Sequence, residues 1–126
     1  MTQEHTVNIM PQSTDTVLML RLTGLVTLQD YMDYFVAPAK ALVDRHGWYN
    51  LLVYFDENFV GWSPEAAEIS FRYLMEYCPK ARRLAYVNPS DSRSLLMKML
   101  EPVMKTADMR FFEIEELDKA VDWMLA

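Results

Sequence analysis

Between two stretches of helical periodicity lies "NLLVYFD", from Asn50 to Asp56, a run that is apolar at nearly every position. A strand with one wet face alternates apolar and polar residues, so an almost unbroken apolar run predicts a strand covered on both faces. Strands separated by helices of ten or more residues run parallel, because a crossover must return the chain to the same edge of the sheet. The alternation continues downstream. Ala66, Ile69, Tyr73 and Tyr77 mark one face of a helix from Ser63 to Tyr77, and "RLAYVN" reads as a strand. A third helix is expected from about Asp91 to Thr106, then a strand "DMRFFEI", then a last helix with Leu117, Ala120, Val121 and Met124 on one face.

Upstream, "VNIM" (Val7 to Met10) and "TVLMLRLTG" (Thr16 to Gly24) are rich in strand formers, and "PQSTD" between them is turn material, which predicts an antiparallel hairpin. In the segment that follows, Leu28, Tyr31, Phe35, Ala39 and Leu42 recur at spacings of three and four. Thr27 is placed to cap that helix and Gly47 to end it, while Pro38 removes a backbone donor and should bend it. The expected fold class is α/β: a mixed five-stranded sheet, with a parallel core and an antiparallel N-terminal hairpin, flanked by about four helices. Residues 1–126 read as one domain, long enough to bury its own core.

Composition excludes several function classes. The formal charge is −6, with 12 Lys and Arg against 18 Asp and Glu, so no nucleic-acid partner is expected. The one basic cluster, "PKARR", reads as a solvated link between elements. No apolar run approaches the ~20 residues that span a bilayer. The first residues, "MTQEHTVNIM", lack the basic start and apolar core of a secretory signal, which makes a cytoplasmic location the expectation. Cys78 is the single cysteine, and with only His5 and His46 beside it there is no zinc-site spacing; neither metal nor cofactor is expected.

In sheets of this class ligands sit outside the carboxyl ends of the parallel strands, where Thr23 to Thr27, Asp56 to Ser63, and Asn88 to Ser92 are expected as loops. The middle one holds "FVGWSPEAAE". Ser63, followed by Pro64 and Glu65, is a good helix start; the same position would also seat a phosphoserine on free helix amides. Phe59 and Trp62 either close the end of the sheet or wall an apolar pocket together with Tyr86 and Leu96. The ligand-binding set expected from this reading is Phe59, Trp62, Ser63, Tyr86, Asn88 and Leu96. On the third helix, Leu96, Met99 and Val103 would suffice for the core, yet Met97, Leu100 and Met104 form a second apolar row. Neighbouring helices, a second subunit, a lid position or a lipid surface would each cover it, and methionine adapts to all of them. Asp56, Glu57 and Asn58 lie at the same edge, but without a histidine, a nucleophile elbow or a glycine-rich phosphate loop they read as solvated and the chain as no enzyme.

In order and spacing, "RLTGLVTLQDY", the helix with a central proline, "HGWYNLLVYF", the "GWS" opening the second helix and "MRFFEIEELDKAVDWML" together resemble the SpoIIAA-like proteins, an offshoot of the STAS superfamily. The resemblance covers nearly the whole chain. It implies the fold of the bacterial anti-sigma-factor antagonists, related in outline to CRAL-TRIO lipid-carrying domains. It also implies that Ser63 stands where phosphorylated antagonists carry their acceptor serine. "GWSP" departs from their "D-S-S-G"-like motif, and "NPSDSRS" replaces the tryptophan and basic residues that close relatives tend to have after the fourth strand. The function expected is a non-catalytic module for an apolar small molecule or lipid. Its second apolar row would meet a protein partner, a membrane surface or a second copy in a homodimer. The alternative is a protein-interaction module switched by phosphorylation of Ser63.

Overall fold

The computed structural model describes residues 5–77, 80–89 and 108–126. Strands β1 (Val7–Ile9) and β2 (Val17–Val26) form the expected antiparallel hairpin, with Val7 opposite Leu22 and Ile9 opposite Leu20. Its turn is held by Met10 N–H donating to the Met19 carbonyl at 2.8 Å and by the Ser13 hydroxyl, which accepts from Met19 N–H at 2.9 Å. Strands β3 (Tyr49–Trp62), β4 (Ala81–Val87) and β5 (Asp108–Phe112) then add in sequence order, each parallel to its predecessor. The result is a five-stranded mixed sheet of order β1-β2-β3-β4-β5, the fold class read from the sequence.

That order decides where the helices go. A right-handed crossover that always steps to the next strand in the same direction lands on the same side of the sheet each time. Accordingly Tyr31, Phe35, Val36 and Ala39 from the first crossover, with Tyr73 from the second, pack on one face against Leu18, Leu20, Leu22, Leu51, Val53 and Phe55. The last helix instead covers the other face, where Ala120 and Met124 meet Met19, Leu52, Ala85 and Val87. β3 is therefore covered on both sides, as its apolar run requires. Among the described residues the strand order never reverses, so the crevice that a reversal opens at the carboxyl edge is not formed.

The first crossover is one helical rod in three pieces: α1 (Leu28–Tyr31), a π turn (Met32–Val36) and α2 (Ala37–His46). Thr27 caps it through its hydroxyl, which accepts from Asp30 N–H at 3.3 Å, and Gly47 ends it in the left-handed conformation at φ 80°, donating to the Val43 carbonyl. Pro38 acts through the π turn before it. Proline lacks the N–H that would bond the carbonyl four residues back and its ring crowds that carbonyl, and widening the preceding turn, with Ala37 N–H donating to Met32, makes room. Helix α3 (Pro64–Tyr77) forms the second crossover, and α4 (Leu117–Leu125) closes the chain after a short 3-10 turn, Ile114–Glu116. The expected third helix, about Asp91 to Thr106, lies outside the described residues.

Two expectations are corrected here. The segments Thr23 to Thr27 and Asp56 to Ser63 are largely strand rather than loops, because β2 and β3 go on pairing through Gly24–Phe59, Leu25–Gly61 and Val26–Trp62. The basic cluster is not a solvated link. Arg82 and Arg83 belong to β4; Arg82 stacks over Trp48 at 3.9 Å, and Arg83 donates to the carbonyls of Trp123 and Ala126 at the end of α4.

Candidate functional site

Between the sheet face that carries the first crossover and the rod above it lies a small, partly open hollow of about 30 Å³. Strand alternation supplies its floor. Leu20 and Leu22 come from β2, Leu51, Val53 and Phe55 from β3, and Tyr86 from β4, all pointing to the same side because side chains two apart share a face. Helical spacing supplies the opposite wall: Tyr31 and Phe35, four residues apart, present rings 5.1 Å apart, and Ser70 enters from α3. Trp62, from the far end of β3, meets Tyr31 edge-to-face at 5.7 Å. Phe59 stands at the rim, edge-to-face with both Phe55 at 4.9 Å and Trp62 at 6.1 Å.

A bulge in β3 puts those last two rings in place. From Leu22 to Gly24 β2 advances two residues, while its partner advances four, from Phe55 to Phe59. The extra residues turn on Asp56, whose Oδ1 accepts from Asn58 N–H at 2.9 Å while Oδ2 pairs with Arg21 Nε at 3.0 Å. Asp56 is 7% exposed, so the solvated carboxylate expected from the sequence is instead buried. It follows Phe55 in the strand and so faces away from the hollow. Its role is to hold the bulge from which Phe59 and Trp62 project.

Of the residues picked from the sequence, Trp62 and Tyr86 line the hollow and Phe59 edges it. Ser63 does not line it. Its hydroxyl accepts from Ala66 N–H at 3.2 Å as a helix cap, and its own N–H donates to the Val26 carbonyl. Asn88 does not line it either. Held at φ 57°, it donates its side-chain amide to the Phe55 carbonyl at 3.0 Å and its N–H to Phe112, tying the end of β4 to both neighbours. Leu96, Met97, Leu100 and Met104 lie outside the described residues. Tyr31, Phe35, Phe55 and Ser70 escaped the sequence reading, although one signal was present: Tyr31 and Phe35 are aromatic at a four-residue spacing on the face predicted to be buried.

A second polar cluster lies away from the hollow. Asp30 Oδ2 accepts from both the N–H and the hydroxyl of Thr6 at 2.7 Å, while Oδ1 meets His5 Nδ1 at 3.2 Å. His5 Nε2 in turn lies 3.0 Å from the Tyr34 hydroxyl. Burial alone would raise the Asp30 pKa; the hydrogen bonds from Thr6 and the nearby His5 outweigh it and hold the carboxyl below its usual range. This cluster fastens the edge strand to α1. Among the described residues no group of three or more potential ligands is placed to hold a metal ion, and no helix is long and apolar enough to cross a membrane.

A family model described as SpoIIAA-like matches residues 17–125. No curated protein matches the chain. Among solved structures it is similar to an uncharacterised protein with a SpoIIAA-like fold from Shewanella loihica PV-4, at 19% identity and a TM-score of 0.65, with 98% of each chain covered.

Proposed function

This chain belongs to the SpoIIAA-like family, and from that premise we propose that it is a non-catalytic regulatory or binding module whose hollow takes an apolar small molecule or lipid. The SpoIIAA-like fold supports a regulatory or interaction module in general. The finer reading is carried by one observation, a hollow walled by Tyr31, Phe35, Phe55, Trp62 and Tyr86. Ligand sites are concave and mainly apolar, with a few polar groups that orient the ligand.

Among the described residues that line the hollow, the polar side-chain groups are two tyrosine hydroxyls, an indole N–H and the Ser70 hydroxyl. That set orients a ligand but provides no acid–base pair, which supports binding over catalysis. A ligand here would touch sheet, rod and α3 at once, so occupancy would stiffen the contact between them and change what the surface offers a partner protein. Such coupling needs only that the ligand prefer one arrangement of the rod over another.

A second reading rests on Ser63. It sits at the N-terminus of a 14-residue helix with its hydroxyl on a helix amide, where a phosphate would be held by backbone donors and the dipole. Mass spectrometry of protein purified from its own cells separates the two. Co-purified apolar compound, lost on Trp62→Ala, supports the first; phosphate at Ser63 without such a compound supports the second. Protein that carries neither, and binds no apolar compound when one is added, refutes the ligand reading.

A further inference from the structure

We propose that Tyr34 is a covalent modification site, a reactive tyrosine that takes an uncharged acyl group from an activated ester, with His5 as its base and Asp30 as the residue that positions that base. The proposal stands apart from the hollow. Asp30 Oδ1 lies 3.2 Å from His5 Nδ1, and His5 Nε2 lies 3.0 Å from the Tyr34 hydroxyl, which links carboxylate, imidazole and phenol in one chain of hydrogen bonds. Asp30, held below the usual carboxylate range, is ionised at neutral pH and can only accept. The neutral imidazole therefore carries its proton on Nδ1, and the bare Nε2 accepts from the Tyr34 O–H. Passing that proton to Nε2 is the step by which a phenol becomes a nucleophile.

The placement suits a reagent arriving from solvent. The Tyr34 ring packs against the core and lies 4.7 Å from the imidazole, while the His5 side chain is 51% exposed. Asp30 in the relay and Asp33 beside Tyr34 in the chain repel a polyphosphate donor, which favours an uncharged acyl group. In the transfer the phenol oxygen bonds to the acyl carbon, the bond from that carbon to the leaving oxygen breaks, and the leaving group departs as its anion. The Tyr34 proton goes to His5 Nε2 and from there to water. The acyl group stays on the phenol, so the step is a modification rather than a turnover.

Thr6 makes the role of Asp30 testable. Its N–H and its hydroxyl both donate to Asp30 Oδ2 at 2.7 Å, and the Thr6 oxygen accepts from Thr27 N–H at 3.2 Å. In Asp30→Asn the amide oxygen must take the Oδ2 place, which turns the NH₂ toward His5 Nδ1. That nitrogen must then accept, the ring proton moves to Nε2, and Tyr34 loses its base.

The test treats the full chain with p-nitrophenyl acetate in mildly alkaline buffer and follows acetylation of each tyrosine by peptide mass spectrometry. Tyr34 is expected to react about tenfold or more faster than the same tyrosine in urea-unfolded chain. His5→Gln and Asp30→Asn, both with native circular dichroism, should return it to the unfolded-chain rate. Nitrogen-15 NMR of His5 should find the proton on Nδ1 in the wild type and on Nε2 in Asp30→Asn. A Tyr34 rate no higher folded than unfolded, an unchanged rate in folded His5→Gln, or a wild-type ring with its proton on Nε2 overturns the proposal. So does a slowed Asp30→Asn that keeps the Nδ1 proton, since Asp30 would then act on the fold alone. Each of these outcomes leaves the apolar-ligand reading untouched.

Discussion

Asp56, at the bulge in the middle of β3, and Asp30, in α1, are both acidic, and their surroundings give them unlike roles. Asp56 is buried with Arg21 and the Asn58 amide, and a charge-assisted bond broken at one end leaves its partner short of a ligand. Asp56→Ala should therefore lower stability by about 2 kcal/mol in urea unfolding. Because it also frees the bulge, it should broaden the NMR signals of Phe59 and Trp62 rather than those of α4. Asp30 instead carries a pH dependence. Its folded pKa lies below the usual value, so it binds its proton less readily folded than unfolded. Its contribution is then complete above the unfolded carboxylate pKa of about 3.9 and is lost as pH falls through the folded value. The stability gap between wild type and Asp30→Asn should be widest near neutrality and shrink with acidification; a gap that grows in acid would contradict the hydrogen bonds drawn to Thr6.

At the scale of elements, the helical rod and β3 each contain an irregularity with a local cause. The π turn answers the missing donor and bulky ring of Pro38, and the bulge in β3 answers the Asp56–Arg21 pair. Gly47 shows the same dependence of sequence on backbone: at φ 80°, a side chain meets strain even though a Cβ there would touch nothing within 4 Å. Gly47→Ala is expected to cost about 1 kcal/mol without altering the fold, measurable by thermal or urea unfolding. The termini of these elements were the legible part of the sequence. Thr27, Gly47 and Ser63 each cap a helix as their residue types suggest. The length of β3 was not legible, because Glu57, Asn58 and Gly61 look like loop residues until a partner strand pairs with the segment that holds them.

At the scale of the whole molecule, the sheet order places the helices of the first two crossovers on one face and α4 on the other, which leaves the ring-lined hollow on the two-crossover side. A ligand that binds the folded chain alone must stabilise it by about 2.7 kcal/mol at a hundredfold excess over its Kd, so the thermal midpoint should rise with the concentration of any apolar compound that co-purifies with the chain. Trp62→Ala should abolish most of that rise while the unliganded midpoint falls less. The sequence by itself determined the number and kind of the strands, the antiparallel hairpin and the helix caps, since these depend on periodicity and on residues close along the chain. Which aromatic residues share a cavity was decided only by the tertiary structure. Tyr31 comes from the first crossover, Phe55 and Trp62 from either side of the bulge in β3, and Tyr86 from β4, and their meeting depends on sheet order, crossover hand and that bulge, none of which leaves a periodic signature in the chain.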